Sequence, residues 1–160
     1  MDHNWLPTFP EVTGDSRRMN SNHGVATILD ASEKGLDNFD LEKAYEASKA
    51  AITEKTLAPW SGKPAGELDV FYKKNGYIPA LREGEEETIA EVDGFEKRQP
   101  VAVTLGTAYD EWCLAVLANK LGHKDDYKRF IEEALNYRNL FNAETKFFHP
   151  KDKNGEFIKK

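Results

Sequence analysis

Residues 100–121, PVAVTLGTAYDEWCLAVLANKL, constrain the fold more than any other part of the chain. The apolar residues of this segment recur at helical spacing but cover more than one helical face. They are Val101, Val103, Leu105, Ala108, Trp112, Ala115, Val116, Leu117 and Leu121. A helix that is apolar nearly all round has to be covered by several neighbours. The pattern therefore predicts a buried helix over 101–121, and only about four other helical segments could cover it.

Composition excludes several classes of protein. The 160 residues are 39% hydrophobic and 31% charged, which is typical of one globular domain. The net charge is -6 and the lysines are interspersed with acids, so a nucleic-acid surface is not expected. We expect no membrane span, because no apolar run reaches roughly 18 residues, and the N-terminus has no signal-peptide pattern. The single cysteine, Cys113, is predicted to be a buried thiol rather than a nucleophile.

The remaining periodic segments predict an all-α chain. Helices are expected near 24–34, 41–56, 67–75 and 125–140. Asn22 is a plausible N-cap of the first. Gly122 and the short link HKDD predict that the helices over 101–121 and 125–140 pack as an antiparallel αα-hairpin.

Two segments outside the helices have their own patterns. Asn154 and Gly155 form a turn pair with aromatic residues on either side, which predicts a small β-hairpin or loop at the C-terminal end. The acidic run GEEETIAEVDG is typical of a solvated loop or hairpin, and its spacing matches no calcium-binding loop.

Asp110 and Glu111 are the candidate catalytic carboxylates. Two carboxyl groups carry most glycoside hydrolysis, one as proton donor and one to activate water. Adjacent residues on a helix point about 100° apart, so these two cannot both face one substrate. From local sequence alone, an exposed surface pair is the favoured interpretation.

His23, Asn22, Trp5 and Trp60 are the candidate substrate-binding residues. His23 follows Asn22 at a predicted helix start, where it is either a partly exposed capping-segment residue or a polar group presented to a sugar. Trp5 and Trp60 lie in loops near prolines and could stack on sugar rings, whereas Trp112 is expected in the core. The histidines show no metal-ligand spacing, so no metal site is predicted.

The order of short motifs along the chain resembles glycoside hydrolase family 92, the calcium-dependent, inverting exo-α-mannosidases. The resemblance extends over nearly all 160 residues. Its motifs are Trp5-Leu6-Pro7, Asn22-His23, Asp30-Ala31, Lys34-Gly35, Phe39-Asp40, Ala44-Tyr45, Gly76-Tyr77-Ile78-Pro79, Val103-Thr104-Leu105, Ala108-Tyr109-Asp110-Glu111-Trp112-Cys113, Leu121-Gly122, Asn136-Tyr137, Asn139-Leu140-Phe141 and Phe148-His149-Pro150.

The resemblance implies that residues 1–160 are part of an (α/α)6 toroid. The N-terminal β-sandwich and the rest of the barrel of this family would be absent, and those missing helices would cover the segment 101–121. The calcium ligands and the water-activating aspartate would also lie outside. We therefore expect a glycan substrate and calcium for the full-length protein, but no calcium and no activity for this chain alone. Periplasmic or extracellular location, and association with itself or with the missing barrel, are further expectations.

Gly106 is the main departure from the family pattern. Where the family usually has T-L-E-Y-A-Y-D-D-W, this chain has TLGTAYDEW, so the position of the family's general acid appears as Gly106. Glycine cannot donate a proton. Hydrolysis then requires a leaving group that needs little protonation, such as a phosphate, or a different acid. Glu111 in place of the usual aspartate is a smaller change.

Three functions are therefore open. The first is a segment of an inverting α-1,2-mannosidase-like glycoside hydrolase, and the second is a carbohydrate-binding relative without hydrolysis. The third is a helical protein-interaction module built on the hairpin over 100–141. Loop tryptophans and polar helix starts favour the first two.

Overall fold

The described part of the chain is mainly helical. A computed structural model describes residues 6, 10–12, 14–15 and 22–158. Within these residues the helices are α1 (Gly24–Glu33), α2 (Leu41–Thr53), α3 (Glu67–Asn75), α4 (Pro100–Leu121) and α5 (Lys124–Glu133), and a 3₁₀ helix spans Asn136–Leu140. Strands β1 (Pro10–Glu11) and β2 (Gly14–Asp15) pair antiparallel, as do β3 (Phe141–Asn142) and β4 (Phe147–Phe148). The predicted helical character and the positions of all five helices are confirmed.

Helix α4 is the centre of the fold. It contacts α1, α2, α5 and the 3₁₀ helix. The core around it is formed by Val25, Leu29, Tyr45, Ile52, Cys113, Leu114, Leu117 and Phe130, all of which are buried. Full burial of one large apolar side chain stabilises a fold by roughly 1.5–3 kcal/mol, so these contacts anchor α4. The predicted burial of Cys113 is confirmed.

The α4–α5 connection is the predicted helical hairpin. Gly122 ends α4 in the left-handed conformation, at φ 86°, where a Cβ would be strained. The His123 N–H donates to the Ala118 carbonyl (2.8 Å), and α5 begins at the next residue. The hairpin is therefore tight, and α5 returns along α4.

Helix α5 is shorter than predicted. The α-helix ends at Glu133, and the chain continues to residue 140 as a turn and a 3₁₀ helix. In this 3₁₀ helix the Asn139 side chain donates a hydrogen bond to the Gly76 carbonyl (3.1 Å), at the end of α3. Helix C-termini often tighten into 3₁₀ geometry.

One face of α4 remains uncovered within the described residues. Tyr109 and Trp112 are 49% and 44% exposed, so the expectation that Trp112 belongs to the core is wrong. Their rings stack with centroids 6.2 Å apart, beside an apolar groove of about 560 Å³ that Leu105, Ile131 and Leu135 help to line. The helices α1, α2 and α5 cover only part of the circumference of α4.

Helix α4 is long and apolar enough to cross a membrane by length and composition alone. However, 61% of its most apolar stretch is buried inside this protein. The helix also carries two buried acids, Asp110 and Glu111. These features are typical of the core helix of a globular fold.

One local prediction is corrected, and a second is confirmed with an additional hairpin before it. Asn22 does not cap α1: His23 occupies the N-cap position without a side-chain cap hydrogen bond, and the Asn22 N–H is directed to α4. The C-terminal hairpin pairs β3 with β4, ahead of the predicted turn. The predicted turn occurs at Asn154 and Gly155, closed by the single antiparallel bridge between Lys151 and Phe157.

Candidate active site

The two adjacent acids of α4 are both buried. Asp110 is 0% exposed and Glu111 is 2% exposed, so the interpretation as a surface pair is wrong. Burial of a carboxyl group is costly without hydrogen-bond partners, and each acid has its own. Asp110 contacts the segment before α1, whereas Glu111 contacts α3. The expectation that the two side chains face different directions is confirmed.

Asp110 holds the start of α1 against α4. One carboxylate oxygen, Oδ2, accepts a hydrogen bond from the Asn22 N–H (2.8 Å). The other, Oδ1, lies 2.6 Å from His23 Nδ1. A carboxylate is an acceptor only, so Nδ1 carries the proton and Nε2 is at the opposite side of the ring. The structure therefore brings together the predicted residues Asn22, His23 and Asp110.

The electrostatics of this pair favour a charged imidazole. The hydrogen bond to Asp110 raises the pKa of His23 above its usual 6.5, against the opposing effect of partial burial. Burial raises the pKa of Asp110, and the contacts with His23 and the Asn22 N–H oppose that rise. The His23 side chain is 51% exposed, whereas that of Asp110 is 1% exposed.

Gly106 lies on the same face of α4, one turn before Asp110. Residues four apart on a helix lie one above the other, and helical side chains lean towards the N-terminus. We therefore expect the Asp110 side chain to lean towards the turn that contains Gly106. The glycine leaves this turn without a side chain, and Tyr109, three residues later, is exposed. The His23 and Tyr109 rings meet edge to face at 5.7 Å.

Glu111 lies in a separate, small cavity. Tyr72 donates a hydrogen bond to Glu111 Oε2 (3.0 Å), and Arg129, Glu133 and Asn136 are among the residues that line this cavity of about 100 Å³. Burial raises the pKa of Glu111 to about 9, and the neighbouring charge of Glu133 adds to the effect. Glu111 is thus a neutral acid near pH 7, enclosed by protein.

The partners of Glu111 were not predicted from the sequence. Tyr72 is 39 residues away on α3, and Glu133 is on α5. Contacts between residues so distant in the chain have no local signal. Asn136 lies in the motif Asn136-Tyr137 of the family resemblance. Tyr72 and Glu133 lie in no such motif.

The structure does not test the predicted stacking role of the tryptophans. Trp60 follows α2 in a turn, in the left-handed conformation (φ 62°), with its ring 6.4 Å from that of Phe95. Its loop position is as predicted. Trp5 lies outside the described residues.

One group of potential metal ligands occurs among the described residues. Glu42, Glu46 and His123 place one ligand atom each within 4.8 Å of one another, at the exposed junction of α2 with the α4–α5 link. His123 already contacts Glu42 (2.6 Å) and stacks on Tyr45. Calcium prefers six to eight oxygen ligands, so this group with its imidazole does not fit calcium.

Comparison with protein families identifies the scaffold as part of a glycoside hydrolase. The chain belongs to glycosyl hydrolase family 92, whose catalytic-domain model matches residues 1–160. A comparison with curated proteins gives no match. The family assignment confirms the resemblance drawn from the motifs.

Solved structures of this family have the same fold over this region. The family GH92 inverting mannosidase BT2199 of Bacteroides thetaiotaomicron is 29% identical, with a TM-score of 0.76 over 98% of this chain. The family GH92 α-mannosidase BT3965 of the same organism is 28% identical, with a TM-score of 0.74 over 96%. The chain spans 19% of the first protein and 18% of the second.

Proposed function

We propose that this chain is part of the catalytic domain of a glycosidase that hydrolyses α-mannosides or related glycans, with α-1,2-linked mannosides as the first candidates. The match of all 160 residues to the family's catalytic domain carries the proposal. The titles of the similar structures describe mannosidases, one of them inverting, which supports the substrate class and the stereochemistry. The uncovered face of α4 is where further helices of an (α/α)6 toroid would pack.

The site residues in this chain would form one wall of the sugar pocket. Asp110 holds His23 and the Asn22 N–H against α4, and the His23 ring meets Tyr109 of the uncovered face. Where the complete domain uses calcium, we expect its ligands outside residues 1–160; the group Glu42, Glu46 and His123 does not suit calcium. Binding of glycan by this chain then depends on the rest of the domain.

A carbohydrate-binding relative without hydrolysis is the second candidate. The observation that favours it is Gly106, which places no acid at a position where the family pattern has glutamate. Asp110 and Glu111 do not replace that acid, since both are buried and bonded to other groups. The two candidates differ in turnover rather than in binding.

Assay of the complete domain separates these functions. The protein that contains this chain with the rest of the catalytic domain is incubated with α-mannobioses of each linkage, and the anomer of the released mannose is followed by NMR. Release of β-mannose supports inverting hydrolysis, and removal of calcium by chelation tests the metal. Binding to a glycan array without turnover would favour the second candidate.

The 160-residue chain alone provides the matched control. We expect it neither to hydrolyse aryl or natural α-mannosides nor to bind calcium tightly, because it spans less than a fifth of the length of the similar mannosidases. Calcium-dependent turnover by the purified chain would contradict this expectation.

A further inference from the structure

If the proposed hydrolysis is correct, the substrate site of the complete domain needs a proton donor. Cleavage of an ordinary glycosidic bond requires an acid that protonates the departing oxygen. Gly106 has no side chain, and the Asp110 carboxylate is fully buried between His23 and the Asn22 N–H. Glu111 is 2% exposed and accepts a hydrogen bond from Tyr72, so it is not available to the same substrate.

His23 has the geometry that the other groups lack. Its Nδ1–H is fixed by Asp110 at 2.6 Å, so the ring has one orientation and Nε2 is on the far side. About half of the His23 side chain is exposed. Its ring meets the exposed ring of Tyr109, which lies three residues after Gly106 on α4. An imidazole oriented by a buried carboxylate is a common arrangement for general acid–base catalysis.

We propose that His23 is the proton donor of this glycosidase and that Asp110 is its positioning residue, an inference that rests on the proposed function. The Nε2–H proton of the imidazolium moves to the glycosidic oxygen while the C1–O bond breaks, and the bonding electrons stay on that oxygen. Water adds to C1 and releases one proton to solvent. His23 is left neutral and regains its proton from solvent, so the net reaction consumes one water.

The charges around His23 support this role near neutral pH. Among the described residues, Asp110 and Tyr109 of α4 face the ring. The Asp110 contact raises the pKa of His23, which extends the range in which Nε2 carries a proton. Tyr109 is a poorer donor, because the neighbouring Cys113 raises the pKa of its hydroxyl. Activity should therefore decline on the alkaline side as His23 loses its proton.

The test uses the complete catalytic domain and two substrates. Dinitrophenyl α-mannoside has a leaving group that needs little protonation, whereas α-linked mannobiose requires a proton. For His23→Gln we expect kcat/KM on mannobiose to fall about 100-fold or more, the scale of general acid catalysis. On the dinitrophenyl substrate the loss should be less than about tenfold, which also shows that the variant is folded. Asp110→Asn should shift the alkaline limb of the pH profile to lower pH.

His123→Gln is the matched control. His123 also contacts a carboxylate, Glu42, but it lies about 22 Å along α4 from Gly106. The His123→Gln variant should leave kcat/KM unchanged on both substrates. An equal loss on both substrates for His23→Gln, or no loss on either, would overturn the role of His23 while mannoside hydrolysis by the wild type still stands. If the wild type turned over neither substrate, the proposed function and this inference would both be wrong.

Discussion

Replacement of Glu111 by glutamine tests the account of the buried acid most directly. Glutamine has nearly the same shape, and its carbonyl oxygen can accept the hydrogen bond from Tyr72. It removes only the ability to ionise. The wild-type carboxyl group has a pKa raised from 4.5 to about 9, so the folded chain binds a proton that the unfolded chain has released. Stability therefore falls as the pH rises through this window.

The size of the effect follows from proton linkage. While the folded chain holds one extra proton, the free energy of unfolding falls by about 1.4 kcal/mol per pH unit. From pH 5 to pH 8 the contribution of Glu111 is thus a loss of about 4 kcal/mol. Glu111→Gln should have nearly wild-type stability at pH 5 and be more stable than the wild type by about that amount at pH 8.

Urea unfolding of the 160-residue chain at pH 5, 6, 7 and 8 measures this difference. Comparison of variant with wild type cancels the titration of His23 and of the other groups common to both. Glu132→Gln, at an exposed position on α5, is the matched control and should change stability by less than about 0.5 kcal/mol at every pH. A constant difference between Glu111→Gln and wild type across the range would show that Glu111 is ionised in the folded chain.

Three further predictions concern the contacts of Glu111 and Asp110 and the nearby Gly106. Tyr72→Phe removes the hydrogen bond to Glu111 and should lower the free energy of unfolding by about 1–2 kcal/mol, measured by urea unfolding at pH 6; an unchanged value would show that the bond is not formed in solution. Asp110→Asn should lower the pKa of His23, measured by NMR titration of the ring protons, because the hydrogen bond to Asp110 is the largest cause of its rise; an unshifted titration would refute the pair. Gly106→Ala should be nearly neutral for folding, since a gain of about 0.5–1 kcal/mol is expected only where the glycine is a simple helix defect at an exposed site. Thermal unfolding distinguishes these two outcomes.

Local sequence patterns were sufficient to predict where the helices lie and which family the chain belongs to. The periodicity of apolar residues over 101–121 is a property of adjacent turns, and so is the glycine stop at Gly122. The order of short motifs identified family 92 for the same reason, because each motif is read within a few residues. The direction of Asp110 and Glu111 towards different partners also followed from helix geometry alone.

Burial and partnership at the site were decided by the tertiary structure. Asp110 and Glu111 were predicted to be an exposed surface pair, because two adjacent acids in a sequence carry no information about what packs over them. Contact with His23, 87 residues away, and with Tyr72, 39 residues away, makes them buried groups with shifted pKa values. Trp112 shows the converse, since this apolar residue of a core helix is 44% exposed on the face of α4 that the described residues leave uncovered. A side chain's environment depends on elements distant in the chain, whereas its helix depends on the residues beside it.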